Sequence, residues 1–417
     1  MKIMLVAGAR PNFMKVASIV DAIRAFNQSG KSAIEYVLVH TGQHYDKEMS
    51  DSFFTDLKLP LPHVNLGVGS SSHACQTADI MKGIEPILLR ELPDVLVVVG
   101  DVNSTVACAL VAAKITYPSG NKSGLSRPLI AHVEAGLRSF DRSMPEEVNR
   151  VLTDALCDFL FVTERDAVDN LLGEGIARNK IYLVGNTMVD TLLRHREQAQ
   201  NSEILSSLSL TLNGEGPKAV LPYATTTLHR PSNVDDRQVF GNILDALAAV
   251  GERLPVFFPV HPRTMNRIRE FGYQAYFDFS RFDAVFECSR STFTASPPQH
   301  ATVSPRIIAL KPLGYLDFLC LMDNAKLVLT DSGGIQEETT MLGVPCVTVR
   351  ENTERPVTIT HGTNVLAGTS TEAIVHHCLN KLDNPGEPKQ PELWDGHAGA
   401  RIIEILSSQR GSRRVDS

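Results

Sequence analysis

Short, nearly unbroken apolar runs recur along the chain, separated by stretches whose apolar positions repeat at helical spacing. Ile3–Ala7, Ile34–His40, Val95–Val99, Leu129–Val133, Phe159–Val162 and Ile181–Val184 are such runs. They carry the signature of parallel strands covered on both faces. Phe13–Asn27, Ala74–Glu91 and Thr105–Thr116 lie between them and read as amphipathic helices. The alternation predicts a doubly wound parallel sheet with right-handed crossovers. The pattern then restarts: Ala219–Pro222, Val256–Val260, Ile307–Leu310, Leu327–Thr330 and Cys346–Val349 as strands, with helices near Asp235–Glu252, Leu316–Asp323 and Ile335–Leu342. The polar stretch Gln198–Pro217 reads as the boundary region. The expected fold is α/β, two Rossmann-like domains over residues 1–197 and 198–395 facing across a cleft, with a C-terminal helix and frayed tail over 396–417. A chain of 417 residues exceeds what one core usually supports, which agrees with two domains.

Two segments break the rhythm. Pro118–Pro128 is rich in Gly, Ser and Lys, and Ser289–Pro305 in Ser, Thr and Pro; both read as mobile surface loops. The tail after Ser407 reads as frayed. A net charge of −7 leaves no electrostatic footprint for nucleic acid, so a bound anion must be held by a few local cations. The seven cysteines are scattered, with no CxxC pair, which argues against a disulfide framework and a zinc site. No run approaches the roughly twenty apolar residues of a membrane span, and MKIMLVAGARP reads as a first buried strand, so a cytoplasmic protein is expected.

Five constellations fall where a doubly wound sheet meets its ligands, at the carboxyl ends of strands. Gly8-Ala9-Arg10-Pro11 with Lys15 would place two cations at a helix N-terminus, or else form a surface turn with a solvated arginine. Gly100-Asp101-Val102-Asn103 ends the most apolar strand; Asp101 can point into the cleft, cap the next helix, or do both in part. His132-Val133-Glu134-Ala135-Gly136-Leu137-Arg138 and Met144-Pro145-Glu146-Glu147-Val148-Asn149-Arg150 are the densest pair. A glutamate after Pro145 is ordinary complementation of the helix dipole. The convergence of Asp101 and Glu134 on the same strand ends adds a different possibility, an acid and a base made from one chemical group. Thr227-Leu228-His229-Arg230-Pro231 sets His229 and Arg230 to face a diphosphate. Asp331-Ser332-Gly333-Gly334-Ile335-Gln336-Glu337-Glu338 would cradle phosphate on backbone N–H groups, with Glu338 able to accept from a ribose diol.

Together GARPNFMK, VVGDVNST, AHVEAGLRSFDRSMPEEVNR, VGNTMVD, TLHRPSNVDD, LTDSGGIQEE and NTERP closely resemble the non-hydrolysing UDP-N-acetylglucosamine 2-epimerases, in family order over roughly residues 1–405. The resemblance implies a two-domain fold like that of the GT-B glycosyltransferases, a homodimer, and no cofactor, metal or nicotinamide. It implies conversion of UDP-GlcNAc to UDP-ManNAc by elimination of UDP to 2-acetamidoglucal and re-addition on the other face. The matching carboxylates are Asp101, Glu134 and Glu146, with His229 beside the leaving diphosphate. Arg10, Lys15, His229 and Ser332-Gly333-Gly334 would hold phosphates, Glu338 the ribose and Phe318 the uracil, with Arg138 and Arg355 also on the substrate. Gln43 and His44 match the region where bacterial members bind a second UDP-GlcNAc as activator, although Tyr45-Asp46-Lys47 departs from the usual pattern. Two further departures are Asn12 and Val357, where many relatives carry the Glu of RPE and ERPE.

The same motifs leave rivals open. One is an epimerase for a UDP-diacetamido-uronic acid, and another is a hydrolysing epimerase that releases free ManNAc. A GT-B glycosyltransferase would need an acceptor site and has no use for three carboxylates.

Overall fold

The computed structural model describes residues 1–30, 33–43, 56–212, 219–282, 307–387 and 389–412. It divides into two compact units, Met1–Arg194 with Pro391–Ser417, and His195–Gln390. Among the described residues no helix is long and apolar enough to cross a membrane.

The first unit is built on β1 (Lys2–Ala7), β2 (Glu35–His40), β3 (Val64–Asn65), β4 (Val95–Val99), β5 (Leu129–Ala135), β6 (Phe159–Val162) and β7 (Ile181–Leu183). Their spatial order is β3-β2-β1-β4-β5-β6-β7, every pairing parallel. All five residues of β4 are buried, as continuous Val/Leu runs require when helices cover both faces. Strand order reverses between β1 and β4, so the loops leaving those strands open the crevice where such sheets bind ligands. The loop after β1 runs straight into helix Arg10–Gln28, with Pro11 in the first turn where its missing N–H is no loss. Helix His73–Glu91 packs on Asn103–Lys114, and that helix on Pro145–Leu156.

The C-terminal segment completes this unit. Helix Ala398–Ser412 lies against helix Arg10–Gln28. Asp190 accepts from the N–H groups of Ala398 (3.1 Å) and Gly399 (2.7 Å) and from the Ser18 hydroxyl (2.6 Å), capping the helix from the VGNTMVD motif. The helix runs past Ser407 to Ser412, and residues 413–417 of the tail expected to be frayed lie outside the described residues. Pro118–Pro128 is also better fixed than its composition suggests. The Asn121 side chain takes the N–H groups of Ser123 and Leu125 and donates to Asp94, and Tyr117 N–H donates to the Ser126 carbonyl. The segment Ser289–Pro305 lies outside the described residues.

The second unit begins with a small antiparallel pair, β8 (Thr211–Leu212) with β9 (Ala219–Val220). Its sheet is formed by β10 (Ala224–Thr227), β11 (Val256–Pro259), β12 (Phe277–Asp278), β13 (Ile307–Leu310), β14 (Leu327–Thr330), β15 (Cys346–Thr348) and β16 (Asn364–Leu366). The order is β12-β13-β11-β10-β14-β15-β16, again all parallel. The expected first strand, Ala219–Pro222, is thus displaced: it contributes only to the hairpin, and the central strand is the threonine run after it. Apolar periodicity misses that strand because β-branched threonines take the place of valines. Thr225 and Thr226 are fully buried, the Thr225 hydroxyl donates to the Phe257 carbonyl (3.1 Å), and the hydroxyls of Thr227 and Thr330 meet at 2.9 Å. The order reverses between β10 and β14, which brings the loops at His229 and Ser332 to this unit's crevice. Two doubly wound parallel α/β sheets are the fold class read from the sequence.

Candidate active site

In the first unit the loops after β1, β4 and β5 meet in a buried polar cluster. Asn12 is 2 % exposed; its side-chain oxygen accepts from Gly8 N–H (3.1 Å) and Ala9 N–H (2.9 Å), and its amide donates to the Val99 carbonyl (3.2 Å). The residue that departs from the usual motif therefore ties the β1 loop to the end of β4. The Lys15 ammonium lies 2.5 Å from Glu134 Oε2, both side chains buried. Gly100 (φ 68°) passes directly over Lys15 and Asn12: a Cβ there would sit 2.9 Å from Lys15 Nζ and 3.3 Å from Asn12 Nδ2. Only glycine meets both conditions without strain.

Glu134 is reached by a break in the strand. The pairing of β5 with β6 shifts register between Val133 and Ala135, and Glu134 takes φ 71°, the left-handed region. For a glutamate this costs about 1–3 kcal/mol, the kind of strain that persists where surroundings over-determine it. The surroundings here are explicit. Gly136 N–H donates to Asp154 Oδ2 (3.1 Å), and His132 lies between Asp154 Oδ1 (2.6 Å) and the Gly100 carbonyl (2.8 Å). Burial pushes the Asp154 carboxyl up, but His132 and Arg138 outweigh it and hold the group below its usual value.

Asp101 does not cap the following helix, which begins at Asn103 with Val102 in the capping position. Its carboxylate instead meets Arg150 at 2.5 Å. Glu146 and Glu147 open helix Pro145–Leu156 but differ in their surroundings. Glu147 is buried and takes Ser139 N–H, the Ser139 hydroxyl, Phe140 N–H and Arg150. Glu146 is half-buried and forms no hydrogen bond or ion pair among the described residues. The Arg138 guanidinium is buried and bonded to Asp154 (2.7 Å), Glu174 (2.7 Å to each oxygen) and the Leu137 carbonyl, so it braces the β5 end. Gln43 is likewise engaged: its side-chain oxygen accepts from Ser104 N–H and hydroxyl, and its carbonyl from Gln76. The Arg10 side chain and His44 lie outside what is described.

In the second unit the keystone is Asp331, fully buried at the end of β14. It accepts from the N–H groups of His229 (2.9 Å) and Arg230 (2.8 Å), and its other oxygen lies 3.0 Å from His229 Nδ1. Burial raises the Asp331 carboxyl, yet His229 and the two backbone donors prevail and lower it. The imidazole of His229 is thereby oriented while half of it remains exposed. Ser332 occupies the capping position of helix Gly333–Leu342. Gly333 has no room for a side chain, since a Cβ would lie 2.4 Å from Arg355 Nη1. Arg355 is buried between Glu337 (2.6 Å) and Glu354 (2.5 Å), beneath that turn. Phe318 is half-buried on helix Tyr315–Asp323. Glu338 is buried, with the Tyr315 hydroxyl donating to it at 3.3 Å. Burial, opposed by Tyr315 and reinforced by Glu337, pushes its carboxyl up to about 8.

Sequence reasoning passed over His132, Asp154, Asn149, Arg150 and Asp331 as participants. A signal was present for each: a polar residue inside or directly after an apolar strand for His132 and Asp331, and a polar or charged residue on the inward face of a helix for Asn149, Arg150 and Asp154.

The sequence model of one family, UDP-N-acetylglucosamine 2-epimerase, matches residues 27–407. The UDP-N-acetylglucosamine 2-epimerase of Methanocaldococcus jannaschii is 39 % identical over 411 residues, covering 98 % of this chain and 99 % of that protein. The UDP-2,3-diacetamido-2,3-dideoxy-D-glucuronate 2-epimerase of Pseudomonas aeruginosa is 35 % identical over 410 residues, with 98 % and 99 % covered. A crystal structure of the M. jannaschii enzyme with UDP-GlcNAc and UDP superposes with a TM-score of 0.79 at 38 % identity, over 98 % of this chain and 100 % of the other. The chain belongs to the UDP-N-acetylglucosamine 2-epimerase family, a family of isomerases.

Proposed function

We propose that this enzyme interconverts UDP-N-acetylglucosamine and UDP-N-acetylmannosamine by inverting C2. The observation that carries the reading is the pairing of Asp101 with Arg150 and of Glu134 with Lys15, each at 2.5 Å, at adjacent strand ends in a chain of this family. The C2 proton is weakly acidic, and its removal needs a carboxylate held in a desolvated place. In the forward direction a carboxylate takes that proton, the C2–H electron pair becomes the C1=C2 bond of 2-acetamidoglucal, and the C1–O pair departs on the UDP β-phosphate oxygen. Re-addition returns UDP to C1 while a second carboxylate delivers a proton to the opposite face of C2. Asp101, Glu134 and Glu146 supply these groups. In the second unit, His229, braced by Asp331, and the Ser332-Gly333-Gly334 turn are suited to the diphosphate, Glu338 to the ribose and Phe318 to the uracil. In the first unit, Lys15 and the loop at Arg10 are suited to phosphate. The reading includes a homodimer, and an activating second UDP-GlcNAc beside Gln43 and His44.

A relative at 35 % identity acts on a diacetamido-uronate, so the test offers both sugars. UDP-GlcNAc is expected to be turned over, and D101N, E134Q and E146Q each to lower kcat at least about a hundredfold. Turnover of the uronate alone would replace the substrate assigned here. Near-normal turnover in all three variants would overturn the mechanism.

A further inference from the structure

Gly100 is left-handed and the Asp101 side chain is 23 % exposed. Consecutive positions on helix Pro145–Leu156 hold Asp101 at both its peptide and its carboxylate. The Asn149 amide donates to the Asp101 carbonyl at 2.9 Å and to Asn103 Oδ1 at 3.3 Å. The next residue, Arg150, brings its guanidinium Nη2 to 2.5 Å from Asp101 Oδ2 and its Nη1 to 2.8 Å from Glu147 Oε2. One helix therefore grips both the peptide and the carboxylate of Asp101.

Glu147 makes that grip rigid. Its two oxygens take Ser139 N–H (3.0 Å), the Ser139 hydroxyl (3.1 Å) and Phe140 N–H (3.0 Å) in addition to Arg150. Arg150 and Glu147 are almost fully buried, at 3 % and 2 % side-chain exposure. A planar guanidinium bridging two carboxylates is fixed in plane as well as in position, which a lysine ammonium cannot reproduce. The loop that follows Glu134 is thereby tied to the same guanidinium that orients Asp101.

We propose that Asn149 and Arg150 are positioning residues for Asp101, and that Glu147 sets Arg150 for this task; the inference rests on Asp101 acting on the substrate, as argued above. The second glutamate of Pro145-Glu146-Glu147 is then part of the frame, whereas the first belongs to the chemistry. Misplacing a reacting group by about an ångström can lower turnover a hundredfold without weakening binding, and this separates positioning from substrate contact.

The test is a pair of double-mutant cycles on the full chain, R150K with D101N and N149A with D101N, reading kcat and KM for UDP-GlcNAc alongside thermal melts. R150K and N149A are each expected to lower kcat about ten- to a hundredfold while KM stays within about threefold. In the D101N background neither is expected to lower kcat by more than about a further twofold, because the group they position is already gone. Losses that multiply in both double variants, or full kcat in both R150K and N149A, would overturn the proposal. Should R150K fail to fold, the N149A cycle decides alone, since it leaves the buried ion pairs in place. D101N with wild-type turnover is a separate outcome: it would sink the role of Asp101 itself, and the proposal with it.

Discussion

Replacing Glu338 with glutamine tests whether the second unit carries a buried carboxyl at the cost of stability. The group is 4 % exposed, the Tyr315 hydroxyl donates to it at 3.3 Å, and Glu337 precedes it. Its pKa rises from 4.5 to about 8. Between those values the folded protein keeps a proton that the unfolded chain has released, so stability falls as pH rises through the window. From pH 5.5 to 7.5 the unfolded carboxylate is favoured by two further pH units, each worth about 1.4 kcal/mol, or about 3 kcal/mol in all. A glutamine is neutral throughout and escapes this loss. The melting temperature of E338Q relative to wild type should therefore climb by about 6–12 °C between pH 5.5 and 7.5, using about 2–4 °C per kcal/mol for a unit of this size. Calorimetry of the two proteins without nucleotide at the two pH values measures it. A constant difference across that range would refute the assignment of an uncharged Glu338 and the burial reasoning behind it.

Two further outcomes follow from the framework around the site. Gly185 takes φ 87°, and a Cβ there would lie 2.0 Å from the Leu393 carbonyl, so G185A should lower stability by on the order of 1–3 kcal/mol by dislodging the C-terminal segment from the first unit; an unchanged melt would contradict that docking. Among the described residues no three His, Cys, Asp or Glu side chains gather as a metal site, and EDTA is expected to leave turnover unchanged; loss restored by one divalent ion would refute it.

Much of the architecture was legible because parallel strands buried on both faces must be apolar runs, and most of the predicted runs are strands. What escaped was whatever substitutes for an apolar side chain. The central strand Ala224–Thr227 is written in threonine, whose methyl packs like valine while its hydroxyl can bond to a neighbouring strand. The short edge strands Val64–Asn65 and Phe277–Asp278 hold two residues each, too few to show a period. At the site, strand ends announced Asp101 and Glu134, but a charged residue in a motif does not reveal what it is spent on. The sequence did not show that Arg138 and Arg355 pair with Asp154, Glu174, Glu337 and Glu354, partners 16 or more residues away for all but one of these pairs. Conversely, Arg150 and Asp154 sit at ordinary helix positions, and only tertiary structure brings them to Asp101 and His132.

The account stands most directly on the fate of the C2 hydrogen. Wild-type enzyme incubated with UDP-GlcNAc in D2O and followed by NMR should form UDP-ManNAc with deuterium at C2, and should in time label the remaining UDP-GlcNAc at the same carbon. The label in UDP-ManNAc requires that the C2–H bond break and that the carboxylate delivering a proton to the opposite face carry one exchanged with solvent. UDP-ManNAc formed with C2 fully protonated would contradict proton abstraction by exchangeable carboxylates. Free ManNAc with UDP would show hydrolysis in place of re-addition, and an unchanged, unlabelled substrate would show that the chain does not epimerise this sugar.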